Sequence, residues 1–202
     1  KVADVPVLHH DLFTNGIVYL DVGFDLRVLP QELLPYISLF GRALLEMGTQ
    51  RENFVELQQR IGAETGGGWA QSLVGSRLGG GPAATWLFLR GKSMVGRADN
   101  LMAIMRDVLL EGRFDDKERL LQMALEERAG EESSMVPGGH RVVSMRLRAQ
   151  FDETGWISEQ MRGLSYLFFL RELVEEIESD WPAVQARLER IRTLLLNRQG
   201  ML

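Results

Sequence analysis

Across residues 16–26 the chain alternates strictly. Val18, Leu20, Val22, Phe24 and Leu26 are all apolar, with Ile17, Tyr19, Asp21, Gly23 and Asp25 between them. A repeat of two marks a strand with one buried face. Strand-like segments recur at residues 69–77 and 85–94, set off by Gly66-Gly67-Gly68 and by Gly79-Gly80-Gly81-Pro82. A loose glycine-rich connection suits two strands paired antiparallel. The other periodic stretches repeat at three and four residues, the spacing of an amphipathic helix.

The helical stripes fix an order. Leu33, Ile37, Phe40, Leu44 and Met47 form one stripe after Pro30, with Pro35 expected in its first turn and Gly48 at its end. Thr49-x-x-Glu52 reads as a capping box for the next helix, carried by Phe54, Leu57 and Ile61. After the strand pair come a helix on Leu101, Met105 and Val108 with Arg97 near its start, and one opened by Asp115-x-x-Glu118 that reaches about Glu132. Residues 133–139 break the pattern before a helix from His140 to about Gln150. Leu164, Leu167, Val174 and Ile177 predict a further helix, and Val184, Leu188, Ile191 and Leu195 a last one after Asp180 and Pro182. Strands and helices do not alternate, so a doubly wound parallel sheet is excluded. The expected class is α+β, a mainly antiparallel sheet with helices packed on one face. Residues 1–13 read as a linker or tail, and residues 14–202 as a single domain. The chain begins at Lys1 rather than Met, as a processed or excised segment would.

Composition excludes several functions. The chain has no cysteine, so disulfide and thiolate chemistry are absent. With 23 basic residues against 28 acidic ones, it lacks the excess of Lys and Arg that nucleic-acid binding needs. The longest strongly apolar run, near residues 164–170, is far short of the roughly 20 residues of a membrane span. The three histidines, His9, His10 and His140, have no metal-site spacing; the first two read as a solvated segment and the third as a surface or structural residue. Gly66, Gly67 and Gly68 follow a helix and precede a strand, the reverse of a phosphate loop, and no Lys-Ser or Lys-Thr follows them. Gly75-Ser76 lacks the rest of a nucleophile elbow. Glu126-Glu127, Glu131-Glu132 and Glu175-Glu176 read as solvated helix faces, and Arg141, Arg146 and Arg148 as partners of neighbouring acidic helices. The glycine-flanked segments at 69–77 and 85–94 are the expected exposed strand surface, with Gly66, Gly67, Gly68, Trp69 and Arg77 as candidate contacts for a peptide or partner.

A set of ordered motifs carries a family resemblance. They are Thr14-Asn15-Gly16-Ile17-Val18-Tyr19, Gln31-Glu32-Leu33-Leu34-Pro35, Leu44-Leu45-Glu46-Met47-Gly48-Thr49 and Ile61-Gly62-x-x-Thr65-Gly66-Gly67. Later come Arg90-Gly91-Lys92-x-Met94-x-Gly96-Arg97, Gly139-His140 and Glu159-Gln160-Met161-x-Gly163-Leu164-Ser165-Tyr166. Over about residues 11–170 they resemble the third domain of presequence proteases, a branch of the insulinase (pitrilysin) zinc metallopeptidases.

That resemblance implies four similar α/β units closing around a chamber in which short unstructured peptides are cut. It implies an H-x-x-E-H zinc motif in the first unit and a substrate-binding Arg/Tyr pair in the fourth. Matching the Gly-Thr that ends the zinc helix to Gly48-Thr49 puts Leu39 and Ala43 at the histidine positions and Arg42 at the base glutamate. Neither Leu nor Ala ligates zinc, and a guanidinium is neither ligand nor base near neutral pH. The resemblance therefore implies an inactive copy that holds no cofactor, with Zn2+ in the full-length enzyme. It implies as partners the other domains of the same polypeptide and a peptide substrate, with no nucleic acid or membrane. The compartment would be the cytoplasm of a bacterium or an organellar matrix of a eukaryote. Alternative readings are an inactive scaffold subunit of the same fold, which binds a catalytic subunit or peptide, and a stand-alone peptide-binding module.

Overall fold

The alternating segment forms β1 (Ile17–Asp25), and Leu26 leaves it for a single 3-10 turn capped by the Asp25 carboxylate. The computed structural model describes Lys1, residues 4–197 and residues 200–202. The other strands are β2 (Gly68–Gly75) and β3 (Ala84–Met94), and the sheet runs in the order β1-β3-β2, antiparallel throughout. The class is α+β, as expected, but β3 is the central strand, paired on both sides. The expectation that residues 85–94 are an exposed strand edge is thus corrected. Strand order is a long-range choice, and alternation along one segment does not encode it.

Between β1 and β2 the chain forms a 3-10 helix (Gln31–Tyr36), then α1 (Ile37–Glu46) and α2 (Phe54–Glu64). Pro35 lies inside the 3-10 segment rather than in the first turn of α1. Without an N–H, and with its ring against the carbonyl four residues back, it delays α-helix until Ile37. The capping box is Asn53 with Glu56, not Thr49 with Glu52. Asn53 accepts from the N–H groups of Val55 (2.9 Å) and Glu56 (3.1 Å), while Glu56 accepts from the Asn53 N–H (2.9 Å). Thr49 is buried and occupied elsewhere, in a bridge to Gly112.

After β3 come α3 (Ala98–Leu110), α4 (Lys117–Met135), α5 (Gly139–Arg148), α6 (Glu153–Arg162), α7 (Leu164–Ser179) and α8 (Trp181–Leu195). The cap of α4 is Asp116, accepting from the Arg119 N–H at 2.9 Å, whereas Asp115 is held by Arg113. No stripe in the sequence announces α6, whose start mixes Gly155 with Trp156 and Ile157.

One side of the sheet carries the helices. α1 packs on β2 and α3 on β3. Both approaches are close: a Cβ on Gly41 would lie 2.7 Å from the Ala70 Cβ, and one on Gly91 would lie 2.6 Å from the Met105 Cε. Leu87 and Leu89 of β3 join Leu44 of α1 and Leu101 of α3 in one apolar cluster that continues through α7 and α8. Each fully buried leucine contributes about 1.5–3 kcal/mol relative to an exposed one.

Candidate functional site

The alternate residues of the three strands form the sheet's other face. There Tyr19, Trp69, Leu73 and Met94 are 60, 41, 47 and 59% exposed. Trp86 and Phe88 stack with ring centroids 6.0 Å apart. A polar strip crosses all three strands: Arg90 donates to both Asp21 oxygens (3.0 and 2.6 Å) and to Gln71 Oε1 (2.7 Å). The Asp21 carboxylate holds the Arg90 guanidinium above its already high pKa. Aromatic rings flanking a fixed polar strip can receive apolar side chains on either side of a polar anchor.

The two outer strands differ at their free edges. β1 is paired at Gly23, which exchanges hydrogen bonds with Leu202 (2.7 and 2.9 Å), and at Phe24, which bridges Met201. Among the described residues no segment pairs with the outer edge of β2. Its sequence, Gly-Trp-Ala-Gln-Ser-Leu-Val-Gly, has no charge and no proline, the devices that normally block strand addition. The candidates Gly66, Gly67, Gly68 and Trp69 sit together at the start of this edge. Arg77 does not join them: it lies beyond the far end, in the exposed loop after Gly75. Eight strand residues separate the two groups by about 25 Å.

The zinc-motif positions lie on α1. Leu39 and Ala43 are 0 and 1% exposed and sit in the apolar cluster. Arg42, half-buried, faces α4. It donates to Glu46 (3.2 and 3.0 Å) and Glu126 (3.2 Å), and its guanidinium lies 3.8 Å from Glu127. Glu46 is shared with Arg119 at 2.9 Å, and Glu127 accepts from Ser38 (2.6 Å) and from the Tyr166 hydroxyl. Burial disfavours the guanidinium charge, but the three carboxylates overcome this and raise the Arg42 pKa. Burial, with Glu127 beside it, pushes the Tyr166 phenol far above its ordinary value. Two hydrocarbon side chains and a neutralised cation offer zinc no donor, so these residues do not fit the ion. His9, His10 and His140 are exposed and far from this cluster in sequence. Among the described residues no three His, Asp or Glu side chains are grouped so as to hold a metal.

Sequence reasoning did not assign the aromatic residues of the open face to a common surface. The signal was present: Trp86 and Phe88 fall in the phase of β3 opposite to Leu87 and Leu89.

Comparison with known proteins gives this architecture a family. Residues 1–173 match the peptidase-associated family of the presequence-protease branch, described as peptidase M-16C associated. "Presequence protease 1, chloroplastic/mitochondrial" of Arabidopsis thaliana is 44% identical over 97% of the chain and 18% of its own length. "Protein HypA" of Clostridium perfringens is 25% identical over 100% of the chain and 21% of its own length. "Presequence protease, mitochondrial" of Xenopus laevis is 26% identical over 98% of the chain and 19% of its own length. The chain thus spans about a fifth of the length of these curated relatives. Among solved structures, a conserved protein from Enterococcus faecalis V583 superposes with a TM-score of 0.55 at 15% identity, over 80% of this chain and 41% of that one; this likeness concerns the fold. With the motifs, the sheet and the match over residues 1–173 in agreement, the chain belongs to this peptidase-associated family.

Proposed function

We propose that residues 14–202 act as one non-catalytic, metallopeptidase-like unit of a zinc-dependent metalloendopeptidase that degrades short unstructured peptides inside a closed chamber. The unit forms part of the chamber wall and packs against the other domains of the same polypeptide. It holds no zinc and is inactive alone; Zn2+ belongs to another unit. The protein works in the cytoplasm of a bacterium or in an organellar matrix of a eukaryote, and no helix among the described residues is long and apolar enough to cross a membrane.

The observation that carries this reading is the one-sided sheet. Helices cover one face, while the other presents aromatic rings and an unpaired edge with no charge to block it. A wall that meets extended peptides needs both features: rings for side chains and free backbone groups for the peptide's own N–H and C=O. The Arg42 cluster supports the non-catalytic part, because carboxylates occupy the guanidinium that stands where a base would be.

Amide hydrogen exchange tests the wall directly. The β2 amides of the chain alone should exchange faster than the β3 amides, and should slow within the full-length protein or on adding an unstructured peptide. Exchange in β2 that is unchanged by either addition would count against the reading.

A further inference from the structure

At the end of the sheet where β3 leaves it, Lys92, Ser93 and Met94 line a cavity of about 300 Å3. Ile17, residues 63–66 at the end of α2, and Arg97 complete its wall. Three features of this wall are unusual. Among the described residues the Lys92 ammonium has no hydrogen bond or ion pair, and Arg97 uses one N–H, donated to the Ala63 carbonyl at 2.6 Å. Ser93 is 3% exposed, and its hydroxyl is buried without a hydrogen-bond partner. The stem of Lys92 lies across Gly66, where a Cβ would come within 3.0 Å of the lysine Cγ and 3.2 Å of its Cε. Most other arginines of this chain are matched by carboxylates, as Arg42, Arg60, Arg90 and Arg119 illustrate. Glu64 is the one carboxylate on the wall and pairs with neither cation. Two cations with one carboxylate leave a single net positive charge, which suits a monoanion.

We propose that this cavity binds a carboxylate, with Lys92 and Arg97 supplying the charge and the Ser93 hydroxyl a hydrogen bond. Charge-assisted hydrogen bonds of this kind are the stronger class, and a buried hydroxyl gains most from a partner. The carboxylate comes either from the C-terminus of an extended peptide or from an Asp or Glu side chain within it. The terminal source rests on the proposed strand addition at β2. A peptide antiparallel to β2 runs in the direction of β3, so its carboxyl end finishes beside Lys92 and Ser93. A parallel peptide would bring its ammonium terminus to two cations and be disfavoured. The cavity thereby sets the direction in which a peptide lies on the sheet.

The test is a chemical-shift titration of the chain with an N-acetylated, eight-residue extended peptide in three forms: free acid, C-terminal amide, and amide with one internal Glu. The free acid should shift the Gly66 and Ser93 amides saturably, with binding weakened by salt. Amidation should cost at least about tenfold in affinity, and Lys92→Gln and Arg97→Gln about as much, at unchanged melting temperature. Recovery by the internal Glu would identify a side-chain carboxylate as the source. Absence of shifts at Gly66 and Ser93, equal affinity for all three forms, or wild-type affinity in both variants would overturn the proposal. Exchange protection of β2, read on the same samples, separates the two ideas. Carboxylate binding without β2 protection leaves the cavity and removes the edge reading; β2 protection indifferent to the carboxylate does the reverse.

Discussion

The two faces of one sheet use similar side chains to different ends. On the inner face Leu87 and Leu89 interlock with α1 and α3, and glycines at positions 41 and 91 let helix and strand close up. On the outer face Trp86, Phe88, Trp69 and Leu73 are equally apolar but meet no helix layer, and a charged strip divides them. Apolar content alone therefore does not locate a core. What distinguishes the inner face is the close fit of small residues against a second layer, which the outer face lacks within this chain.

If that division is right, Leu89→Ala should destabilise the fold by about 2–5 kcal/mol, measured by urea unfolding, because the interior cannot collapse around the gap. A loss below about 1 kcal/mol would erase the distinction between the faces. Arg42→Ala should cost about 1–3 kcal/mol, since it leaves Glu127 half-buried beside Tyr166 without its cation. It should add no zinc affinity, read by metal content after dialysis.

Glu159 sharpens the comparison through pH. It is 1% exposed, between α6 and α7, and accepts from Arg146 and from the Ser165 N–H, both at 2.9 Å. Burial alone would raise its pKa, but the contacts from Ser165 and Arg146 outweigh it and the carboxyl titrates below the ordinary 4.5. A depressed folded-state pKa stabilises the protein above the unfolded value, and that contribution is lost as pH falls through the folded one. The stability gap between wild type and Glu159→Gln, from urea midpoints across a pH series, should therefore be widest near neutrality and narrow as pH drops below 4.5. A gap that widens in acid would contradict the assignment.

The outer face should yield the smallest effects on stability. Arg90→Ala removes a partly exposed pair and should cost no more than about 1 kcal/mol. Trp69→Ala should change stability by about 0.5 kcal/mol or less, yet weaken peptide contact, visible as lost peptide-dependent protection of β2. A large loss of stability in either variant would mean that the outer face belongs to the core after all.

Local signals in the sequence are reliable where local physics decides the outcome. The alternation at 16–26 marks β1 and its buried phase, and the stripes on Leu33 to Met47 and Val184 to Leu195 mark faces that are buried. The misplaced caps are instructive. Thr49-x-x-Glu52 has the right letters, but the Thr49 backbone is committed to Gly112, a contact more than sixty residues away that no local pattern contains. Strand order is of the same kind, which is why alternation alone suggests an edge where β3 lies at the centre. The Lys92–Arg97 cavity is illegible in the sequence because β1, β3 and the end of α2 assemble it from three separated segments. The zinc-motif positions are legible as non-ligands from residue chemistry, whereas the carboxylates around Arg42 come in part from α4, distant in sequence.

The central claim, that this unit contributes a surface rather than chemistry, is tested most directly by measuring zinc content and peptidase activity of the purified chain beside the full-length protein, on an unstructured peptide. The account predicts stoichiometric zinc and chelator-sensitive cleavage in the full-length protein, and neither in the chain alone. Stoichiometric zinc or cleavage by the chain alone would contradict it, and would show that Leu39, Arg42 and Ala43 are not the positions that correspond to the zinc motif.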